Sequence, residues 1–384
     1  MKHPISISGI TSVSALGFES DTVWQSYQTG SSMFVKQALE QEQVWVSRLD
    51  PTKRRALETL RLESPLYKKL DPTVLMALLV ARQTMSFYKG DSSKLGINIG
   101  SSRGATHLFE GYYRDFLANN KTHPLSSPTT TLGNIASWVA QDIGAGGIAM
   151  SHSITCSSAM HALLNGITWL ESNRAQAFLI GGSEAPLTPF TIAQMQALKL
   201  YSKQEGAFPC ESMLEDKNHN TMILGEGAMT AILQKGIDAN SEAVILGVGW
   251  GSEIIHHPAA ISAEADCFKQ SMKMALEEAG LKTVDALVMH APGTVLGDSA
   301  EFKAIRDVFE DNSPFLTGNK AIIGHTLGAS GGFSLEMAVL MIKHNQTVAP
   351  AFFENFSVPT AVKTVMINAV GFGANAVSII IGKP

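Results

Sequence analysis

Short apolar runs alternate with helix-length amphipathic segments along the whole chain, and this alternation restricts the fold more than any other feature. It is typical of an α/β protein, in which buried strands form a sheet covered by helices. Nine runs are predicted strands: 5–10, 95–99, 148–155, 177–180, 228–233, 243–248, 286–290, 365–370 and 376–381. The segments after Cys156 and after His290 have apolar residues at helical spacing, so each is predicted to be a helix with one buried face.

A polar stretch at residues 237–242 separates two predicted strands near the middle of the chain. The second of them, AVILGVGWG, resembles the opening strand in its glycine-rich exit. The chain has 384 residues, enough for two or three domain-sized units. We therefore predict two α/β halves, residues 1–240 and 241–384, which pack as one body with a large shared interface.

Charged residues make up only 16% of the chain and hydrophobic residues 45%. Typical globular proteins have about 25% charged residues, so much of this chain should be buried internally or between subunits. The net charge of −5 gives no global positive field for binding nucleic acid. No apolar run is long enough for a membrane-spanning helix, and three cysteines, an odd number, are typical of a reducing compartment. We expect a soluble, cytoplasmic protein that binds neither membrane nor nucleic acid.

Cys156 lies where a predicted strand runs into a predicted helix, within SHSITCSSAMHALLNG. Its sulfur would lie near the helix N-terminus, where the dipole and free N–H groups favour a thiolate. It is therefore a candidate nucleophile, although a small buried hydrophobe is the usual fate of a free cysteine. Cys210 follows a proline in a polar loop, and Cys267 lies in the helical pattern of residues 264–279. Both are predicted to be structural.

Two histidines occupy places where an α/β protein gathers its site residues. His290 ends the predicted strand ALVMH and enters the loop APGTVLGDSAE, while His325 lies in GNKAIIGHTLGASGG between an apolar run and a helix. The carboxyl ends of strands, followed by glycine-containing loops, form the ligand crevice of open α/β folds. Each histidine is a candidate catalytic residue, and a structural role is the alternative for each taken singly.

Glycine-rich segments give little support for nucleotide chemistry. GSSRGA lacks the G-x-G-x-x-G spacing, and no G-K-[ST] occurs. No C-x-x-C or H-E-x-x-H spacing indicates a metal site. GFGAN, at residues 371–375, joins the last two predicted strands and is either a tight hairpin or a place where backbone must approach another group closely.

Together, these segments resemble the β-ketoacyl-[acyl carrier protein] synthases. The motifs that match in order and spacing are TCSSAMH around Cys156, HAPGTVLGDSAE from His290, KAIIGHTLGASG with Lys320 and His325, GFGAN, GGSE at 181–184 and LGEGA at 224–228. The resemblance implies the thiolase fold, with two α/β halves in a layered α-β-α-β-α body. It also implies a dimer and a site between the halves.

The resemblance implies a decarboxylative Claisen condensation. Cys156 would hold an acyl group taken from phosphopantetheine as a thioester. His290 and His325 would donate to the thioester oxygen of the enolate that forms when malonyl-carrier protein loses CO₂. Backbone N–H groups of Cys156 and Phe372 would hold the tetrahedral oxyanion, and Phe372 matches a mobile aromatic gate. The carrier brings the phosphopantetheine, and no resident cofactor or metal is expected.

Four further residues match supporting positions of the family. Lys320 matches a lysine that supports the histidine pair. Asp298 and Glu301 match acidic positions, and we expect these charges beside the imidazoles to tune their protonation and orientation. Thr294 matches a threonine that contacts pantetheine.

The chain also departs from the family pattern. Ala291-Pro292 stands where the family most often has Gly-Thr after the first histidine, which removes one hydroxyl and stiffens the loop. Ser334 replaces an acidic residue, and HNTM at 219–222 replaces Arg-Asp-Gly-Phe. HAPGT is similar to synthases of polyene pigment clusters, so the pathway is fatty acid or polyketide/polyene biosynthesis.

An acidic acyl carrier protein needs a basic docking surface. Residues 51–70 contain Lys53, Arg54, Arg55, Arg61, Lys68 and Lys69 against Glu58 and Glu63, a local excess of 6 − 2 = +4. Lys68 and Lys69 stand where the family places its docking residues, and a plain solvated surface is the alternative.

Three functions remain open at this stage. The first is an active condensing enzyme that works with acyl carrier protein, as a homodimer or as a heterodimer with a related ketosynthase. The second is a non-catalytic partner that shapes chain length, a class that generally lacks the nucleophilic cysteine. The third is a thiolase, which would need a second catalytic cysteine.

Overall fold

The structure is a computed structural model that describes residues 3–39, 42–132, 134–255, 257, 261–355 and 357–384. Its strands are β1 (Ile5–Val13), β2 (Val35–Leu39), β3 (Glu42–Val46), β4 (Gly96–Gly100), β5 (Ala149–His152), β6 (Ala177–Glu184), β7 (Gly227–Lys235), β8 (Ser241–Ser252), β9 (Ala286–Val288), β10 (Phe315–Thr317), β11 (Thr364–Gly371) and β12 (Asn375–Gly382). Its helices are α1 (Ser20–Thr29), α2 (Pro51–Glu63), α3 (Pro72–Met85), α4 (Thr106–Asn119), α5 (Ser126–Thr130), α6 (Asn134–Ile143), α7 (Ser158–Glu171), α8 (Pro189–Ala197), α9 (Asp266–Ala279), α10 (Val295–Phe309), α11 (Lys320–Ile323) and α12 (Ser330–His344).

Three of the helices begin at a capping side chain followed by proline. Asp50 and Asp71 accept hydrogen bonds from backbone N–H groups at the starts of α2 and α3, and Thr188 does so for α8. Proline suits the first helical position because its missing N–H would have no partner inside the helix. These dipeptides therefore fix where the helices begin.

The large sheet has an internal repeat. In the described part of the chain its order is β10-β9-β11-β12-β8-β1-β7-β6-β4-β5. The five strands of each half, numbered along the chain, follow the same order outward from the centre: first, fifth, fourth, second, third. The two first strands, β1 and β8, pair antiparallel where the halves meet. The duplication is visible in the topology, while the division at residue 240 itself stays a prediction.

Helices and sheet halves alternate in five layers. Helix α3 packs on β1, β6 and β7, on the outer face of the first half, and α9 packs on β8 and β12 of the second half, with α10 against it. Helices α7 and α12 contact each other between the two halves of the sheet. Every residue of α12 from Ser330 to Ile342 is buried. The α-β-α-β-α layering implied by the family resemblance is therefore confirmed.

Alternating glycines explain the glycine-rich exit of β8. Carbon atoms added at Gly247, Gly249 and Gly251 would lie 2.1, 1.9 and 2.4 Å from backbone oxygens of α9. These positions have no space for a side chain, so glycine lets α9 lie directly on the strand.

All nine predicted strands correspond to strands of the structure, with one correction at 148–155. The strand there, β5, spans only Ala149–His152 and lies at the edge of the sheet, paired on one side with β4. Its residues are exposed or half-buried rather than fully buried. Cys156 is therefore reached through a turn after an edge strand. No helix in the described ranges is long and apolar enough to span a membrane.

Candidate active site

Cys156 lies in a tight turn just before α7. The turn is closed by hydrogen bonds from Ser157 N to Ile154 O (3.2 Å) and from Ser158 N to Thr155 O (3.3 Å). Thr155 has φ of 47°, which is strained for a β-branched residue. The Cys156 side chain faces a cavity and is only 7% exposed. The turn thus holds the sulfur near the N-terminus of α7, at the cavity wall.

The thiol of Cys156 is in an environment that opposes ionisation. Burial raises its pKa to about 12, the charge of Glu184 also raises it, and the charge of Lys320 lowers it. Desolvation is the largest of these effects. A thiol proton has to leave Cys156 during acyl transfer.

His290 and His325 lie next to each other in the cavity wall. Their ring centroids are 5.3 Å apart and the rings are nearly perpendicular, at 82°. His290 follows β9 by two residues. His325 follows α11, and its backbone is held by hydrogen bonds between His325 N and Ile223 O (2.7 Å) and between Gly225 N and His325 O (3.0 Å). The LGEGA segment therefore fixes the position of the second histidine.

Both imidazoles are neutral at physiological pH. Burial and the positive charge of Lys320 lower the pKa of His325 to about 3 and that of His290 well below its usual value. A neutral imidazole carries one N–H donor. The Nδ1 atoms of both rings are buried and have no partner among the described residues. Each neutral ring can therefore donate one hydrogen bond.

Lys320 acts on the site through its charge. Its side chain is fully buried, and Nζ makes no hydrogen bond to any described residue. Burial lowers its pKa to about 8, while nearby Glu301 and Asp298 oppose that shift. The ammonium therefore remains mostly charged at neutral pH, where it favours neutral histidines and an ionised Cys156.

Replacing Lys320 with methionine is expected to slow iodoacetamide alkylation of Cys156 roughly tenfold at neutral pH, since one pKa unit is a tenfold change in thiolate. Peptide mass spectrometry over time measures the rate, with added N-acetylcysteine as the reference thiol. Lys320→Arg, which keeps the charge, should retain most of the rate. Unchanged or faster alkylation in Lys320→Met would contradict the electrostatic role.

Asp298 and Glu301 hold the backbone of the histidine loop. Asp298 accepts from Gly293 N (3.0 Å) and Thr294 N (3.2 Å). Glu301 accepts from His290 N (2.9 Å) and Ala291 N (2.8 Å). The loop leads directly into α10, which carries both carboxylates. They can therefore accept hydrogen bonds from the N–H groups of the loop. They orient His290 through the main chain.

Lys217 is a functional candidate that the sequence reasoning missed. Its Nζ lies 2.7 Å from Asp298 Oδ2, and both side chains are fully buried. The same ammonium donates to Glu211 O and Leu214 O. A buried ion pair with additional hydrogen bonds fixes geometry strongly. No sequence motif indicates this ion pair, because Lys217 and Asp298 are 81 residues apart.

The Ala291-Pro292 departure is accommodated by this anchored loop. Ala291 has φ of 23° and Gly293 has φ of 85°. Thr221, within the HNTM departure, donates through both N and Oγ1 to Gly293 O, at 2.8 and 2.9 Å. Thr294 caps α10 by accepting from Gly297 N and lines the cavity. Its contact with pantetheine stays a prediction.

The cavity brings together five of the predicted residues. It has a volume of about 340 Å³, and Cys156, His290, Thr294, His325 and Phe372 all line it. Most of its other walls are apolar, with Met195, Leu198, Leu200, Met222, Leu327 and Val370 among them. Its described lining contains neither lysine, arginine nor carboxylate. The cavity therefore suits an uncharged chain and a thioester.

Phe372 lies at the cavity with 36% of its side chain exposed. The preceding Gly371 lies against the nucleophile turn, because a carbon added there would be 2.0 Å from Thr155 Oγ1 and 3.0 Å from Cys156 N. GFGAN therefore forms the turn between β11 and β12, and its backbone also lies close to the turn that carries Cys156. The roles of Phe372 as gate and of the two N–H groups as oxyanion donors stay predictions.

The basic stretch is partly neutralised. Lys68 and Lys69 are exposed on a short 3₁₀ turn, Tyr67–Lys69. The residues of the stretch that form ion pairs are Lys53 with Asp50, Arg54 with Glu226 and Arg61 with Glu58. The remaining cations are Arg55, Lys68 and Lys69, so the accessible positive charge is smaller than the sequence count.

Cys210 and Cys267 are free, buried thiols that do not line the cavity. Cys210 Sγ would be 3.1 Å from a carbon added at Gly293, so it packs beneath the histidine loop, and Cys267 lies in α9. Within the described part of the chain, no cluster of three or more His, Cys, Asp or Glu side chains could hold a metal ion.

Comparisons with known proteins agree with this site. The chain matches the family descriptions "Beta-ketoacyl synthase, N-terminal domain" over residues 2–239 and "Beta-ketoacyl synthase, C-terminal domain" over residues 242–353. A curated relative, 3-oxoacyl-[acyl-carrier-protein] synthase 2 of Coxiella burnetii, is 26% identical over 317 residues, which are 76% of each chain.

Two solved structures share the fold over the full length of this chain. "The ishigamide ketosynthase/chain length factor" has a TM-score of 0.85 at 19% identity and is covered over 99% of its chain. A structure titled "AntDE:AntF (apo): type II PKS acyl-carrier protein in complex with its ketosynthase bound to the hexaketide" has a TM-score of 0.82 at 20% identity, again with 99% covered. The sequence matches and the shared fold together show that the chain belongs to the β-ketoacyl synthase family.

Proposed function

We propose that the protein is a β-ketoacyl-[acyl carrier protein] synthase that performs decarboxylative Claisen condensation. The observation that carries this proposal is the convergence of one buried thiol and two neutral imidazoles on a single apolar cavity. A thiol can hold an acyl group, and paired neutral donors can stabilise an enolate. The first relative is named for this activity.

Acylation is a transthioesterification at Cys156. The sulfur attacks the carbonyl carbon of an acyl-pantetheine thioester, a new carbon–sulfur bond forms, and the bond to pantetheine sulfur breaks. The pantetheine thiol leaves with the proton that Cys156 loses. Backbone N–H groups of Cys156 and Phe372 hold the tetrahedral oxygen, which lowers the barrier as charge develops there.

Condensation then uses the two histidines. The bond between the malonyl α-carbon and its carboxylate breaks, CO₂ leaves, and the electron pair moves to the thioester oxygen to form an enolate. His290 and His325 donate hydrogen bonds to that oxygen. The enolate carbon attacks the acyl carbonyl on Cys156, a carbon–carbon bond forms, the carbon–sulfur bond breaks, and the released thiolate takes up a proton from solvent.

Incubation with acyl- and malonyl-carrier protein tests the proposal. Intact-protein mass spectrometry should detect an acyl adduct on Cys156, and CO₂ release should accompany a β-ketoacyl product. Absence of the adduct and of CO₂ release would favour a non-catalytic partner subunit. Condensation of two acetyl-CoA molecules without any malonyl substrate would favour a thiolase, for which neither Cys210 nor Cys267 is placed at the cavity.

We propose that the protein works as a dimer, with a second copy or with a related ketosynthase chain. Strand β5 leaves one edge unpaired, and α4 presents Phe109, Tyr113, Phe116 and Leu117 on one face, each at least 44% exposed. Unpaired edges and large exposed apolar patches are typical of interfaces. The first solved neighbour is itself named as a ketosynthase with a chain length factor.

A cytoplasmic location is also proposed, because it fits synthesis that depends on an acyl carrier protein.

Lys68 and Lys69 are proposed to bind the acidic surface of the carrier protein. The double substitution Lys68→Glu/Lys69→Glu is expected to raise KM for acyl-carrier protein roughly tenfold, with kcat changed less than about twofold, because docking electrostatics govern encounter more than chemistry. Steady-state kinetics at low and high salt measure the effect. Lys282→Glu/Lys363→Glu, an equal charge change on another exposed surface, is the control. Equal KM values for both double variants would refute docking at this turn.

Malonyl decarboxylation is expected to keep its rate as pH falls from about 8 to about 5, through the usual histidine pKa of about 6.5. The lowered pKa of His325, about 3, means that its ring stays neutral over the whole range, and His290 is shifted in the same direction. Release of CO₂ from malonyl-carrier protein measures the rate. Because burial also raises the pKa of Glu301 to about 7, the same profile is measured for Glu301→Gln, and loss of most of the rate with a midpoint near pH 6.5 in both proteins would contradict neutral donors.

A further inference from the structure

A second segment of the chain, residues 211–221, lies against the histidine loop. Ser212 Oγ donates to Ala291 O at 2.7 Å. Thr221 donates to Gly293 O through both its N–H and its hydroxyl group. These hydrogen bonds fix carbonyl groups of the loop, so the N–H groups of the loop have to find other partners.

Asp298 is an acceptor that the loop and the segment share. Its Oδ1 accepts from Gly293 N (3.0 Å) and Thr294 N (3.2 Å), which belong to the loop. Its Oδ2 accepts from Met213 N (3.0 Å), which belongs to the segment. The ammonium of Lys217 lies 2.7 Å from the same Oδ2. One carboxylate thus holds three backbone N–H groups and one cation.

Lys217 supplies the charge that this carboxylate needs. Both side chains are fully buried, and a buried carboxylate without a counter-ion tends to bind a proton. Lys217 Nζ also donates to Glu211 O (3.0 Å) and Leu214 O (2.7 Å), so its three N–H groups all have acceptors. Its position is therefore fixed by the segment, and its charge is directed at Asp298.

Other titratable groups lie around Asp298, but Lys217 makes the direct contact. Burial raises the pKa of the Asp298 carboxyl, and the positive charge of Lys217 opposes this rise. The charge of Asp298 also acts on Cys210 and on Lys320, and Glu301 lies one turn further along α10. Lys217 therefore favours the ionised form, in which both oxygens accept hydrogen bonds.

Lys217 differs from Lys320 in what its charge reaches. The charge of Lys320 acts on both His290 and Cys156. Among the described residues, Lys217 is not one whose charge acts on either of them, and it does not line the cavity. Its connection to the site runs through Asp298 and the main chain of the histidine loop.

Resting on the condensing function proposed above, we infer that Lys217 is a positioning residue for the decarboxylation step. Its ammonium keeps Asp298 ionised, the carboxylate holds the N–H groups of the loop, and the loop places His290 against the enolate oxygen. Ala291, the next residue, has φ of 23°, a strained conformation that persists only when its surroundings enforce it. A weaker acceptor at Asp298 lets the loop relax and moves the imidazole.

Lys217→Met tests the inference because it removes the charge and keeps an unbranched side chain. Release of CO₂ from malonyl-carrier protein is expected to fall roughly tenfold to hundredfold near pH 6, the effect of a misplaced catalytic group. The ratio of variant to parental rate should then rise between about pH 6 and about pH 9, because Asp298 without its cation ionises only at higher pH. Titration of Glu301 and Lys320 occurs in both proteins and cancels in the ratio. Acylation of Cys156 should change less than about threefold.

Lys217→Met/Asp298→Asn keeps the inference testable if the single variant does not fold, because removing one partner of a buried ion pair is strongly destabilising. Asparagine keeps an oxygen that can accept from Gly293 N and Thr294 N, but as a neutral acceptor. We expect CO₂ release to be roughly threefold to tenfold below the parental rate, because neutral hydrogen bonds are weaker than charged ones. The ratio should not vary with pH, since no carboxyl group remains at that position. Parental CO₂ release, or a ratio that still rises with pH, would overturn the inference.

Arg306→Met is the matched control. Arg306 Nη1 and Glu215 Oε1, 2.7 Å apart, join the same segment to α10, but in an exposed ion pair. Both rates should stay within about twofold of the parental values, because exposed ion pairs contribute little.

The outcomes separate the two proposals. A parental protein that forms no acyl adduct and releases no CO₂ would refute the condensing function. With an active parental protein, parental CO₂ release in Lys217→Met, or a ratio that does not change with pH, would show that Lys217 does not position the loop. Equal losses of acylation and CO₂ release in folded Lys217→Met would show a merely structural role.

Discussion

Cys156→Ala is expected to eliminate β-ketoacyl product, with a fall of at least about 10³-fold, because no other residue can hold the acyl thioester. The structure supports this expectation, since Cys210 and Cys267 are buried away from the cavity lining. Product formation from acyl- and malonyl-carrier protein, followed by mass spectrometry, measures the effect. Release of CO₂ from malonyl-carrier protein should persist, because His290 and His325 are intact.

A matched cysteine controls for the loss of a buried thiol. Cys267→Ala removes a buried sulfur within α9 that does not line the cavity, and should retain condensation. Both variants should unfold at similar temperatures, since each removes one small buried group. If Cys156→Ala still formed product at the parental rate, Cys156 would not be the nucleophile and the proposed function would fail.

The strands of the sheet were predictable from the sequence because buried strands of an α/β protein are short apolar runs. The structure adds β10, which has only three residues, and the β2–β3 hairpin, whose exposed strands have a mixed polar pattern. Neither leaves a periodic signal in the sequence. The five-layer arrangement depends on α7 meeting α12, a contact between segments more than 150 residues apart along the chain.

The sequence pattern indicates where strands and helices end, and three predicted site residues lie at such ends. Cys156 precedes α7, His290 follows β9 and Phe372 follows β11. Residues that act through distant partners left no such pattern. Lys217 became visible only through its ion pair with Asp298. The raised pKa of the Cys156 thiol could not be predicted either, since the degree of burial depends on packing around the turn and not on its sequence.

His290→Ala and His325→Ala are each expected to lower malonyl decarboxylation about 10²–10³-fold, the effect of removing one preorganised donor to a developing oxyanion. Acylation of Cys156 should change much less, because backbone N–H groups stabilise that transition state. The two steps are measured separately, as CO₂ release and as the rate of acyl-adduct formation. Asparagine at either position keeps an N–H donor and should restore part of the rate.

His161→Ala provides the matched control for these two variants. His161 is a partly buried histidine on α7 whose Nδ1 lies 3.1 Å from Ser157 O, and it does not line the cavity. His161→Ala should keep both rates. A loss of rate in the other two variants would then reflect the positions of His290 and His325 and not the removal of an imidazole as such. Because His290 and His325, which lie next to each other, are proposed to donate to the same enolate oxygen, the double variant should lose little more than the worse single one. Equal loss of acylation and decarboxylation in the single variants would instead indicate a general collapse of the site, and the division of labour between thiol and imidazoles would be wrong.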